Sequence, residues 1–179
     1  MKTKLFTIST LILALFIIGC PDQLLTGTFT IIYEIEDPMH SDDSTIESEY
    51  VDLYTISDYA DHVDELRAIE EVSIVGTVIN NSSSTVDSEV WLSYVGGIAD
   101  PTDIFETPST KRIFIAPAIS GGTTLTVDWS DAPTYMENFD FVEEAIIDSG
   151  YFYIYGLGNG SAVDCDMDID IVITFTTSY

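Results

Sequence analysis

The sequence predicts a mainly β fold: an antiparallel β-sandwich, jelly-roll or immunoglobulin-like, of about eight strands with two short helices in its connections. Three observations predict it. Several segments alternate apolar and polar residues with a period of two, as half-buried strands do. Clusters of Gly, Pro, Asn and Ser punctuate them. No strand–helix alternation recurs, so a parallel sheet built from crossover units is not indicated.

From Leu25 the alternation is plain. Leu25, Gly27, Phe29, Ile31, Tyr33 and Ile35 fall on one face; Thr26, Thr28, Thr30, Ile32, Glu34 and Glu36 fall on the other. Asp37-Pro38 ends this strand, and the polar run to Thr45 reads as a loop. Ile46 to Ile56 is a second extended stretch. Ser57 or Asp58 is a helix cap, and Tyr59, Val63 and Leu66 follow at helical spacing, giving two to three turns before Val72. Val72 to Ile79 and Val86 to Val95 are strands joined by an Asn/Ser/Thr turn. Gly96-Gly97 then opens a loop that runs to Thr110.

Lys111 to Ile119, Ser120-Gly121-Gly122 and Thr123 to Trp129 read as a β-hairpin, with Pro117 marking its first arm as a sheet edge or a bulge. Thr134 and Glu137 fit a capping box ahead of Tyr135, Phe139, Val142 and Ile146, and Gly150 is a natural stop. Tyr151 to Leu157 is a strand, Gly158-Asn159-Gly160 a turn, and Ala162 to Thr176 a long last strand.

The first nineteen residues differ from the rest. Lys2 and Lys4 precede an almost wholly apolar run from Leu5 to Ile18, followed at once by Gly19 and Cys20. That is the pattern of an export signal, and the run is shorter than the roughly 20 residues a spanning helix needs. Ile17-Ile18-Gly19-Cys20 resembles a lipobox, the cleavage motif of bacterial lipoproteins. The resemblance covers the first twenty residues alone. It implies cleavage before Cys20, a diacylglycerol thioether on Cys20, and a membrane anchor of two or more acyl chains, which holds stably where one does not. The expected organisation is a leader at 1–19, a lipidated tether at 20–23 and a single β-sandwich domain at 24–179. The expected location is the outer face of the cell membrane, or the outer membrane, facing the periplasm or the surface.

The precursor carries 5 basic and 31 acidic residues. Loss of Lys2 and Lys4 with the leader gives 3 basic minus 31 acidic, a net of −28. Nucleic acid is excluded as a partner, because affinity there comes from neutralising phosphates with Lys and Arg. Hydrophobic content of 46% argues against disorder. With Cys20 lipidated, Cys165 is left as a lone thiol, which is usually buried and inert.

Two constellations stand out. Asp164, Asp166, Asp168 and Asp170 share one face of the last strand, opposite Cys165, Met167, Ile169, Ile171, Ile173 and Phe175. Same-face neighbours lie roughly 6.6 Å apart, so the carboxylates repel unless solvent, a cross-strand Lys or Arg, or a cation offsets them. Calcium suits such a cluster, but an EF-hand loop is rejected: Ile169 and Phe175 stand where Gly and Glu are required. The favoured reading is a solvated acidic face that discourages edge pairing. Tyr151, Tyr153 and Tyr155 share a face of the preceding strand; a sugar-stacking platform is one reading, packing against a neighbouring element the commoner one.

Catalytic motifs are lacking: the chain has no GxSxG elbow, no HExxH and no CxxC. Gly156-x-Gly158-x-Gly160 precedes a strand rather than a helix, so a phosphate finds no helix N-terminus there. No pair among the 31 acidic residues is singled out as a carboxylate-based hydrolase would need. The reading is a non-catalytic, lipid-anchored envelope protein with a structural or interaction role, no cofactor assigned and a protein or glycan partner; a calcium- or glycan-binding surface module is the alternative, and a carboxylate-based hydrolase the weaker one.

Overall fold

The computed structural model describes residues 26–160 and 163–178; the leader, Cys20 and the tether lie outside them. Nine strands occur among the described residues: β1 Thr26–Glu34, β2 Met39–Asp42, β3 Ser48–Asp52, β4 Leu66–Asn80, β5 Val86–Ser93, β6 Thr110–Ile119, β7 Thr124–Val127, β8 Tyr151–Gly160 and β9 Asp164–Ser178. They form two sheets. The first runs β1-β9-β4-β7, with β2 continuing beside β9 where β1 stops, and the second runs β3-β8-β5-β6.

The pairing is nested. β1 pairs with β9, β3 with β8, β4 with β7 and β5 with β6, all antiparallel, as in one long hairpin rolled into two layers. This strand order is that of a jelly roll, one of the two sandwich types expected. The immunoglobulin-like alternative has a different order.

Alternation explains the layers. Ile31, Ile74, Ile154, Met167, Ile173 and Phe175 each point inward and are almost fully buried between the sheets. Each such side chain contributes about 1.5–3 kcal/mol on burial. The pattern predicted for the first and last strands holds along β1 and β9. Pro117 sits where expected: β6 is an edge strand, its register slips between Ala116 and Ile119, and Ala118 takes a φ of 60° there.

Several local expectations need correction. The predicted hairpin of Lys111–Ile119 with Thr123–Trp129 does not form: β6 lies in the second sheet and β7 in the first. Ser120-Gly121-Gly122 carries the chain between layers, with Gly122 at a φ of 68°. Consecutive strands of a rolled hairpin change sheets, and a glycine turn looks the same locally either way. Within the predicted loop 37–45, Met39–Asp42 is strand β2, because β9 is long enough to pair with two short partners on one side.

The helices also differ. The first, α1 (Ser57–His62), has Ile56 at its N-cap with no side-chain cap, and after the tight turn Val63–Glu65 strand β4 starts at Leu66, ahead of Val72. An unforeseen helix, α2 (Pro101–Glu106), occupies the 96–110 loop; Asp100 caps it by accepting from the Thr102 amide at 2.8 Å, with Pro101 in its first turn.

The capping box of Thr134 and Glu137 is absent. Ala132–Tyr135 is one short turn (α3), and a separate helix, α4 (Phe139–Glu144), begins after Asn138 and continues as a wider turn to Ser149. Gly150 ends it as expected. Between α3 and α4 the chain is extended: Met136 bridges Phe114 on β6, and Glu137 faces Arg112. β8 runs on through Gly158 to Gly160, past the turn predicted there.

A second, smaller core forms on the outer face of the second sheet. Ile46, Ile104, Tyr155 and Leu157 are buried there, with Ile98, Trp91 and Tyr153 packed around them. The connection from Gly96 through α2 therefore lies over this face as a cover. No helix among the described residues is long and apolar enough to cross a membrane.

Candidate functional site

The aspartate row lies where alternation puts it, on the outer face of β9, with Cys165 fully buried behind it. Burial pushes the Cys165 thiol up to about 11, which suits an inert structural residue. The role inferred for the row needs correction. β9 is the middle of its sheet, flanked by β1 and β2 on one side and β4 on the other, so it protects no edge. Its charges are offset by neighbours rather than by Lys or Arg. Asn81 donates its carboxamide to Asp164 at 3.2 Å and Asp166 at 2.8 Å, and His40 Nδ1 lies 2.8 Å from Asp166. Asp170 accepts from the Ile35 amide at 3.4 Å, while Asp168 is exposed.

The His40 hydrogen bond holds the Asp166 carboxyl below the usual carboxylate range, and the same bond raises the His40 imidazole. Among the described residues, no three His, Cys, Asp or Glu side chains converge as a metal site requires. His40 engages one Asp166 carboxylate oxygen and Asn81 the other.

The tyrosine stripe is divided. Tyr155 is fully buried; its hydroxyl donates to the Val95 carbonyl at 2.8 Å and accepts from the Ile98 amide at 3.3 Å, pinning the covering loop. It is therefore no part of a platform. Tyr153 is half-buried, and Tyr151 is exposed. Two tyrosines not singled out in the sequence join them. Tyr50 lies parallel to Tyr151 at 6.4 Å and tilted against Tyr153 at 5.1 Å, and Tyr54 stacks on Tyr151 at 5.0 Å. Cys20 lies outside the described residues.

A third constellation, absent from the sequence reading, is the most organised. Glu89 lies on the outer face of β5, yet its side chain is only 1% exposed. It accepts from Arg112 Nη1 at 2.9 Å, from the Trp91 indole Nε1 at 2.8 Å and from Asn159 Nδ2 at 3.4 Å. Arg112 also donates Nε to Glu137 at 2.9 Å, and these contacts raise the guanidinium further. A buried carboxylate costs several kcal/mol unless it is paired and hydrogen-bonded, and here it is both. Trp91 meets Phe105 of α2 edge to face, with centroids 5.2 Å apart at 85°. The Trp91 ring, the Phe105 ring and the ion pair line an open cleft of about 550 Å³ that Lys111 also borders.

No family model matches the chain, and no curated protein matches it. Solved structures similar to it include one of Turnip Yellow Mosaic Virus, at 12% identity and a TM-score of 0.36 over 86% of this chain and 92% of that one. Another is of Desmodium yellow mottle tymovirus, at 11% identity and a TM-score of 0.39 over 90% of each chain. A third is dimeric latent PorU from Porphyromonas gingivalis, at 11% identity and a TM-score of 0.32, where the match spans 89% of this chain but 14% of that one. Likenesses of this strength carry no inference about what the chain does.

Proposed function

We propose that this chain is a lipid-anchored, non-catalytic interaction module of the bacterial cell envelope. The observation that carries the reading is the Ile17-Ile18-Gly19-Cys20 segment, with only five residues between Cys20 and Thr26, where β1 begins. A cysteine lipidated at that point holds the jelly roll close against its membrane. The non-catalytic reading rests on the sequence, which carries no GxSxG, HExxH or CxxC motif. An interaction role is supported by the exposed aromatic side chains of Tyr50 and Tyr151 on the second sheet and of Tyr54 in the turn after β3, since aromatic residues are enriched at the cores of interfaces.

The test is fractionation of a bacterial host producing the full chain or its Cys20→Ala variant. The native chain goes to the membrane fraction and the variant leaves it. An unchanged membrane fraction in the variant overturns the anchor.

A further inference from the structure

The geometry points to the cleft between Trp91, Phe105 and Arg112 as a binding site for a neutral saccharide, a site separate from the exposed Tyr151 surface. The first ground is the aromatic corner. The two rings meet edge to face at 85° and 5.2 Å, and Phe105 is 58% exposed although it belongs to the helix that seals the smaller core. Ile104, its neighbour, supplies the sealing and is fully buried, so an outward Phe105 contributes little to the fold. An apolar ring face presented beside hydrogen-bonding groups matches a pyranose, which has an apolar C–H face and a rim of hydroxyls.

The second ground is preorganisation. The Trp91 indole is tied at Nε1 to Glu89, and Glu89 is itself locked by Arg112 and Asn159. The ring is therefore held in one orientation, and little side-chain entropy is lost when a ligand stacks on it. A buried ion pair is weak grounds for stability, and a role in holding Trp91 gives this one a reason to exist.

The third ground is charge. Lys and Arg are scarce in this chain, and Lys111 and Arg112 both line this one cleft. Two carboxylates, Glu89 and Glu137, balance them there. The local sum is zero inside a chain of net charge −26. Acidic polysaccharides are repelled by the surrounding field within about 8 Å at physiological salt, and a cation finds no excess charge in the cleft. What remains is a ligand recognised by charge-assisted hydrogen bonds to uncharged hydroxyls.

The cleft also continues. Phe105 and Asn159 also line a smaller hollow of about 160 Å³, where Asp42 and Asp43 add negative charge that disfavours an acidic sugar further. A chain of two or more sugar units would cross Phe105 at its middle, which makes an oligosaccharide a better fit than a monosaccharide.

The experiment uses the full chain, purified in a detergent with no sugar headgroup. Trp91 and Trp129 are its two tryptophans, so Trp129→Phe leaves Trp91 as the sole tryptophan, excited selectively over the tyrosines at the red edge of the absorption band. Neutral oligosaccharides (gluco-, manno-, galacto- and N-acetylhexosamine series) and uronic-acid oligomers are titrated separately. A neutral oligosaccharide is expected to shift or quench the Trp91 emission at micromolar to millimolar concentration. Phe105→Ala, a change at an exposed position, is expected to weaken that binding about tenfold or more, and Tyr151→Ala to leave it unchanged. The proposal is overturned if no neutral oligosaccharide perturbs Trp91, if uronic-acid oligomers alone bind, if Phe105→Ala binds as tightly as the parent, or if the surface captures a protein and no sugar. None of these outcomes bears on membrane attachment through Cys20.

Discussion

The Glu89 carboxylate and the Arg112 guanidinium meet at 2.9 Å on the outside of a β-sheet, the acid almost wholly buried and the base about one-third exposed. The asymmetry sets what each mutation does. Arg112→Met strands a buried carboxylate that keeps only the Trp91 and Asn159 donors, so it should destabilise the fold by about 2–3 kcal/mol. Glu89→Gln leaves Arg112 with Glu137 and with water and should cost less, about 1 kcal/mol. The double variant should recover much of the Arg112→Met loss, because the unpaired charge is gone. Urea unfolding of the four proteins closes the cycle. A strictly additive double variant would mean that the two side chains do not act as a pair.

The His40–Asp166 contact couples β2 to β9 and should respond to pH at both ends. His40 titrates above its ordinary 6.5 because Asp166 accepts its proton, with Asp164 and Asp42 adding to the field. Its stabilising contribution is complete below 6.5 and is lost as pH rises through the raised folded value. Asp166 titrates below 3.8, so its contribution is complete above 3.8 and is lost as pH falls through the lowered folded value. β2 should therefore be held best between about pH 4 and 6.5. Each side chain is 39% exposed, so the effect stays under about 1 kcal/mol and is local. Protection of the Met39–Asp42 amides, taken relative to the intrinsic exchange rate at each pH, should fall on either side of that window. In Asp166→Asn the His40 midpoint, followed by NMR, should fall back towards 6.5; an unmoved midpoint would assign the shift to some other group.

The two strands with an unbroken apolar face, β1 and β9, were legible because burial on one side leaves a local trace in every second residue. The partnership of β6 and β7 was not. Ser120-Gly121-Gly122 allows a sharp reversal, but whether the next strand pairs with the last or crosses to the other layer depends on β4, more than forty residues earlier in the chain. β2 leaves no local trace, because Met39-His40-Ser41-Asp42 has one apolar residue and no period to read.

The Glu89 site was hidden for a related reason. On a strand, an outward Glu two residues from outward Trp91 reads as a solvated position, and the side chains of Arg112, Trp91 and Asn159 that engage its carboxylate come together only in the tertiary structure. One trace was present. Lys111 and Arg112 are adjacent in a chain that has almost no other cations after its leader, and a carboxylate partner for them was to be expected. Alternation places the aspartate row on the outer face of β9 but carries no trace of that strand's central place in the sheet.

Gly76 offers a sharp test of the rolled topology, because it stands where β4 is paired on both sides, with Ile169 of β9 and Val127 of β7. Its φ is +136°, a value that residues with a Cβ rarely adopt. A Cβ there would lie 2.2 Å from the Asp168 carbonyl oxygen and 2.8 Å from the Ile169 Cα, both backbone atoms that cannot swing aside. Gly76→Ala therefore has to shift β4 against β9, the central pair of the first sheet. We expect a loss of about 3 kcal/mol or more, read as a lowered midpoint in urea, with the largest gains in amide exchange at Ile169 and in β7. Gly122→Ala is the control: its φ of +68° is also unfavourable, but its Cβ would meet no atom within 4 Å, so the cost should stay near 1 kcal/mol. Equal losses in the two variants would mean that backbone conformation alone, and not the approach of β9, requires glycine at position 76.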